Sequence, residues 1–300
     1  MQGLILLNKP EGITSFGAVA RIKRLAGEKR VGHTGTLDPM ATGVLPVLLG
    51  KATALSGLLL DADKRYTAAV KLGVTTDTDD ITGNIITESK VAVTAEQLNN
   101  ALCAFRGKIM QKPPIYSALK KDGVRLYKLA REGKSTEIES REVEIFSLDL
   151  ISPLNSDNVF EIDVHVSKGT YIRSLARDIG EYLGCGACLT ALKRTYTGGF
   201  SLDECVSLDE LNEENISKYL LREERAVEYL RKVSVTEKQA TRFCNGGQLD
   251  FDRLKINNFV DGELIRVKYS DKLLGIGVAD LPKNQLAVKC VINYPGVEGI

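Results

Sequence analysis

Apolar and polar positions divide the chain into a long first part of mixed periodicities and a shorter last part written mostly at the strand period. Leu4 to Leu7 is a continuous apolar run ended by Lys9-Pro10, the pattern of a short buried strand. Ser15 is the expected cap of a helix whose apolar face is Ala18, Val19, Ile22, Leu25 and Ala26, closed by Gly27. A Gly/Thr-rich segment, Gly32 to Gly43, leads into the apolar run Val44 to Leu49. Tyr66 to Val74 and Val159 to Val166 alternate as strands, while Thr94 to Phe105 and Tyr171 to Leu183 read as helices, the second stopped by Gly184. Asp203 to Glu228 is mostly helical in pattern. Behind it, Leu264 to Val267, Leu273 to Val278 and Leu286 to Val291 read as strands, with turns at Gly246-Gly247 and Pro282. These patterns place a boundary near Tyr229, giving a first domain over 1–228 and a small β-rich domain over 229–300.

Composition narrows the class. A chain of 300 residues with 43% hydrophobic and 26% charged residues has the balance of a globular protein with a sizeable core. No apolar run approaches the roughly 20 residues that cross a bilayer. The opening MQGLILLNKPEG lacks a basic front and a small-residue cleavage site, so a cytoplasmic location is expected. Six cysteines without framework spacing are expected to be reduced thiols. The net charge is only +1, but its distribution is uneven. Nine Lys/Arg between Arg106 and Lys134 face only Asp122 and Glu132, a local net of +7, whereas Asp203 to Glu228 carries a local net of −6. The basic block holds Tyr116 and Tyr127 and opens with Pro113-Pro114. It reads as an excursion out of a sheet, either a phosphate-tracking surface or a solvated loop.

Two segments carry candidate chemistry. The first, Gly32 to Pro46 (GHTGTLDPMATGVLP), holds His33, one of only two histidines, and a single carboxylate, Asp38. Pro39 keeps Asp38 out of helical conformation, so Asp38 is either a catalytic group on a tight loop or the cap of an Asx-turn. The second, Lys168 to Gly180 (KGTYIRSLARDIG), places Arg173 in the first turn of a helix. The helix dipole disfavours a cation there, so Arg173 either answers a specific anion or stretches its stem over Tyr171. Other chemistries are excluded by spacing. Gly43 and Gly50-Lys51 are separated by six residues rather than four, with Ala52 where a phosphate loop needs Ser or Thr. Asp77-Thr78-Asp79-Asp80 continues into Ile81, an apolar residue where a calcium loop needs its next ligand. Cys185 and Cys188 form a lone CxxC, and no metal site is indicated.

Gly32 to Pro46 resembles the signature segment of the TruB family of pseudouridine synthases. Gly3 to Ser15, Lys64-Arg65-Tyr66, Thr76 to Gly83 (TDTDDITG), Pro113 to Gly123 (PPIYSALKKDG), Lys168 to Arg173 and Leu192-Lys193-Arg194 follow in that family's order, over about the first 200 residues. The resemblance implies an α+β fold: a mixed, largely antiparallel sheet flanked by helices, an insertion over about 106–134 that clasps RNA, and a small C-terminal PUA-like domain. It implies an enzyme that isomerises uridine 55 in the TΨC arm of tRNA by flipping the base out. No cofactor, metal, membrane or guide RNA is expected, and the chain is expected to be a monomer.

By the same resemblance Asp38 is the catalytic carboxylate and Arg173 its paired cation. Tyr66 stacks on the flipped base, and Leu192 packs against it or is an ordinary core leucine. His33 fills the gap left by extruded nucleotides, Asp80 contacts another flipped base, and Lys9 with Pro10 supports the site. The basic block would contribute phosphate contacts whose strength falls steeply with salt, and Lys108 to Lys134 is expected to be poorly ordered without RNA. Two readings compete: a non-catalytic module that binds and folds tRNA, and a synthase acting on another RNA. A metal-dependent phosphohydrolase built on Asp77, Asp79 and Asp80 is a more distant third.

Overall fold

The computed structural model describes residues 1–116 and 138–294, with the short strands Lys120–Lys121 (β8) and Val124–Arg125 (β9) between them. The first elements are β1 (Gly3–Lys9), α1 (Ser15–Ala26), β2 (Val31–His33), β3 (Thr42–Leu49), α2 (Ser56–Leu60) and β4 (Lys64–Leu72). The hairpin β5 (Val74–Thr76) and β6 (Ile85–Glu88), then α3 (Ala95–Ala104) and β7 (Gly107–Gln111), precede the two short strands. After them come β10 (Arg141–Ser152), β11 (Val159–Val166), α4 (Ile172–Tyr182), β12 (Ala187–Thr197), β13 (Phe200–Ser201) and β14 (Val206–Ser207). The last part contains β15 (Arg231–Ser234), α5 (Glu237–Cys244), β16 (Leu249–Asp250), β17 (Leu264–Tyr269), β18 (Lys272–Asp280) and β19 (Gln285–Val291).

Ten strands form one mixed sheet in the order β14-β1-β3-β12-β4-β11-β10-β7, with β2 added to β3 and β13 to β12. Only β1 with β14 and β3 with β12 run parallel, so the sheet is largely antiparallel, as expected for this α+β fold. A second sheet, β15-β17-β18-β19-β16, contains the strands expected near Leu264, Leu273 and Leu286.

The continuous apolar text of β1 and β3 follows from burial on both faces. Ile5, Leu7, Leu45, Val47 and Leu49 point into a core shared with Ala18 and Ile22 of α1 and Leu175 of α4. Leu4, Leu6, Val44 and Leu48, one residue out of phase, enter a second core with Phe200, Ala226, Leu273 and Ile276. A one-residue slip of either strand would exchange the two sets, so the register is firmly specified. Glycines permit the tightest approaches. Gly180 of α4 lies where a Cβ would meet Ala187 N at 2.2 Å, letting the helix sit against β12. Gly43 has φ +103°, and a Cβ there would meet Arg194 O at 2.2 Å.

Several expectations are corrected. Thr14, not Ser15, caps α1 by accepting from Gly17 N, and Ser15 turns inward. The strand from Tyr66 ends at Leu72, because Gly73 adopts φ +84° and redirects the chain. Asp203 to Glu228 forms short 3-10 turns rather than longer helices. Two capping boxes start turns there, but Asn212 Oδ1 accepts from Glu214 N and Asn215 N, an alternative to helix propagation. Helix α5, absent from the sequence pattern, has its own capping box from Thr236 and Gln239. The basic block does not leave the sheet at its start: Gly107 to Gln111 pairs with β10 as the edge strand, so the disorder expected from Lys108 does not begin there. Of the remainder, 117–119, 122–123 and 126–134 lie outside the described residues, and no helix among the described residues is long and apolar enough to cross a membrane.

We expect Gly43→Ala to cost about 3 kcal/mol or more, because it combines a left-handed backbone with a backbone clash. Thermal melting measures this, and an unchanged melting temperature would contradict the packing described.

Candidate active site

The Asp38 segment links β2 to β3, and its backbone is held at nearly every step. Arg194, 1% exposed, donates from Nη2 to Gly35 O at 3.1 Å and from Nε to Val44 O at 2.7 Å, tying both ends of the loop to β12. Ser15 Oγ donates to Leu37 O at 2.9 Å and accepts from Leu37 N at 2.8 Å. Ala41 N donates to Asp38 O at 3.0 Å, and Gly12 N donates to Pro39 O at 2.9 Å. The buried ammonium of Lys9 donates to Pro10 O at 2.7 Å, Ile13 O at 2.8 Å and Pro39 O at 3.4 Å. The loop is therefore preorganised by the scaffold.

Asp38 Oδ2 lies 2.9 Å from Arg173 Nε, with 35% of the Asp38 side chain open and the arginine 5% exposed. The other two guanidinium nitrogens donate to backbone: Nη1 to Thr78 O and Nη2 to Tyr116 O, each at 2.9 Å. Asp80 Oδ2 stands 3.7 Å from the same Nε. Asp80 is itself nearly buried, and its Oδ1 accepts from Thr78 Oγ1 at 2.9 Å and from Thr82 N at 3.0 Å. One guanidinium thus joins two carboxylates and two backbone segments.

Burial pushes the Asp38 carboxyl above its usual range; Arg173 opposes the shift, Asp80 adds to it, and Lys9 opposes it. Burial also brings Lys9 down to about 8, with Asp38 and Glu11 opposing, so it remains a cation at neutral pH. His33 is lowered by burial and by Arg194, which makes it a neutral imidazole at pH 7, and its Nδ1 accepts from Gly35 N at 3.2 Å. Lys64, brought to about 8 by burial and Arg194, donates to Leu60 O and Ala62 O just ahead of Tyr66.

Tyr66 on β4 stands opposite Arg194 on β12, and Leu192 stands opposite Ala68, which makes Tyr66 and Leu192 diagonal neighbours on one sheet face. Both are nearly buried, at 6% and 9% exposure, in the core shared with α4. The structure therefore gathers Asp38, Arg173, Asp80 and Lys9 into one charged group. It carries His33 at the loop's start and Tyr66 and Leu192 on the neighbouring sheet face. Sequence reasoning gave no role to Arg194, to Ser15 as a loop anchor, or to Arg177. Arg177 was detectable, since it follows Arg173 by one helical turn on the same face.

Residues 23–172 match the model of the TruB family pseudouridylate synthase (N terminal domain), and residues 173–234 match that of the tRNA pseudouridylate synthase B C-terminal domain. A Clostridium perfringens (strain 13 / Type A) protein named tRNA pseudouridine synthase B is 42% identical over 283 residues, covering 93% of this chain and 96% of that protein. A namesake from Azoarcus sp. (strain BH72) is 53% identical over 211 residues, 70% of each chain. Among solved structures, a chain of a Cbf5-Nop10-Gar1 complex superposes with TM-score 0.75 at 28% identity, covering 97% of this chain and 85% of that one. A chain of an H/ACA RNP bound to a substrate RNA containing 2'-deoxyuridine gives TM-score 0.73 at 26% identity, covering 98% and 87%.

Removing the Asp80 charge leaves Arg173 undivided for Asp38. Asp80→Asn is expected to lower the pH at which the Asp38 carboxyl titrates, followed by its carboxyl carbon resonance. An unchanged or raised titration would contradict the described coupling.

Proposed function

The chain belongs to the TruB family of pseudouridylate synthases, and from that premise we propose that it isomerises uridine 55 in the TΨC arm of tRNA with Asp38 as the catalytic carboxylate. The observation that carries this reading is the ion pair of Asp38 with a buried Arg173, on a loop whose backbone is fixed by Arg194, Ser15 and Lys9. The isomerisation breaks the C1′–N1 bond, turns the uracil and forms a C1′–C5 bond, while a proton leaves C5 and N1 gains one. Redox balance is unchanged, so the residues of the site suffice for the chemistry proposed.

Asp38 acts at the sugar–base junction, by attack on C1′, by addition to the base, or by proton abstraction toward a glycal. Arg173 keeps it ionised as the RNA displaces water. A base buried in a folded arm reaches such a group only by flipping out. Tyr66 stacks on the flipped base, and Leu192 packs its edge. His33, neutral, fills the gap left in the arm without adding a charge. Asp80 Oδ2 is the acceptor left for another flipped nucleotide, and Lys9 supports the loop through Pro39 O. Residues 1–228 form the catalytic domain and 229–300 a PUA-like RNA-binding domain, with about 106–134 contacting the arm.

The curated relatives are named as tRNA enzymes, whereas the solved neighbours belong to multi-component assemblies. The 42% identity to the former against 28% to the latter favours the tRNA substrate without a guide RNA. In this reading the chain acts as a monomer in the cytoplasm. Purified protein and an unmodified tRNA transcript are expected to yield pseudouridine at position 55 with no other component. Modification elsewhere, or only with an added RNA, would overturn the assignment. In the same assay Tyr66→Phe keeps the ring and loses the hydroxyl. Near-normal turnover is expected if stacking is its role, and abolished turnover would assign the hydroxyl a proton transfer instead.

A further inference from the structure

Arg173 and Arg177 lie one turn apart on α4 and grip the same two segments. Arg173 binds Thr78 O and Tyr116 O; Arg177 Nη1 lies 2.8 Å from Asp79 Oδ2, and its Nη2 donates to Lys112 O at 2.9 Å. Lys112 O also accepts from Ser174 Oγ at 2.9 Å, and Gln111 exchanges two hydrogen bonds with the Tyr171 backbone. On its far side the loop from Thr76 to Asn84 is fastened to β12 by Leu189 N to Asp79 O at 3.0 Å and Ile81 N to Leu189 O at 2.8 Å. Asp77 closes its base by accepting from Asn84. Only the two arginines fasten it to α4 among the described residues.

Asp79 sits in this loop with φ +61°, a left-handed conformation that aspartate adopts more readily than most side chains. Its carboxylate and Arg177 are both mostly buried, with 16% and 20% of their side chains open. We propose that Arg177 is a positioning residue: by neutralising Asp79 it leaves Arg173 free to hold Asp38, and it fixes the loop that presents Thr78 O and Asp80 to that arginine. The proposal rests on the catalytic reading of Asp38 and Arg173.

The electrostatics give the device a direction. Burial raises the Asp79 carboxyl; Arg177 opposes this first and Arg173 second, while Asp178 adds to it. Arg177 itself also faces Asp178 at 2.9 Å and Glu181 at 4.0 Å, and Asp38 faces Arg173, Asp80 and Lys9. Without Arg177, the next cation for buried Asp79 is Arg173. That draws Arg173 away from Asp38, whose proton is then lost only at higher pH.

The test is the pH dependence of single-turnover kcat on the unmodified transcript, after wild type has proved active and Asp38→Asn inactive. Arg177→Ala is expected to lower kcat about ten- to a hundredfold, the scale of a small misplacement of reacting groups, with KM nearly unchanged and the acid limb moved to higher pH. Adding Asp79→Asn removes the competing charge and restores most of the loss, which a merely structural arginine would not allow. Arg177→Lys, milder for folding, should keep the acid limb in place. A double variant no better than Arg177→Ala, or an Arg177→Ala enzyme with wild-type kcat and acid limb, would overturn the proposal. If wild type itself makes no pseudouridine, the catalytic reading fails, and amide exchange at Thr82 and Gly83 then decides the clamp alone. Faster exchange in Arg177→Ala supports it, and unchanged exchange refutes it.

Discussion

A guanidinium that is 5% exposed must find its acceptors inside the protein, and Arg173 finds them in three separate places. One nitrogen faces Asp38 and Asp80, one binds the loop before Asp80, and one binds the backbone of Tyr116. An unpaired buried charge is far costlier than an exposed one, so these contacts are a constraint on the fold as well as a feature of it. The β2–β3 loop, the Thr76–Asn84 loop and the chain after β7 must all converge on the first turn of α4. With Lys9 nearby, the two carboxylates face two cations, which lets a half-open carboxylate persist beside a buried arginine.

The sheet makes that convergence possible. Parallel pairing of β3 with β12 brings Gly43 against the Arg194 backbone, closer than any side chain would permit. Arg194 can then reach both ends of the Asp38 loop, and the antiparallel β4 carries Tyr66 to the same neighbourhood. Burial of β1 and β3 on opposite sides by two cores fixes their register and hence the height of the loop above the sheet. The same second core joins the C-terminal sheet to the first strands. Glu224, which binds Arg266 and Lys268 at 2.9 and 2.8 Å, adds a half-buried ionic contact at that junction.

Much of this was legible in the chain, and for physical reasons. Val159 to Val166 alternates because one face is core, and its bounds are those of β11. Thr94 and Gln97 form a local capping box, so α3 begins where the residues say. Local signals misled where a tertiary partner outbid them. Ser15 has the chemistry of a cap, but its hydroxyl is taken by Leu37, twenty-two residues away. The acidic stretch has helical composition, but asparagine side chains and closely spaced capping boxes break it into single turns. Family resemblance pointed to Asp38, Tyr66 and Arg173, whereas Arg194 and Arg177 owe their importance to contacts that span the sheet and the α4 face. No short sequence window contains both partners of such contacts.

The proposed reaction depends on the carboxylate of Asp38 and not on RNA binding alone. The most direct measurement compares wild type with Asp38→Asn on unmodified tRNA, scoring pseudouridine and transcript affinity in the same samples. The variant is expected to bind the transcript about as well as wild type and to form no pseudouridine. Pseudouridine formed by Asp38→Asn at a rate near that of wild type would contradict that dependence.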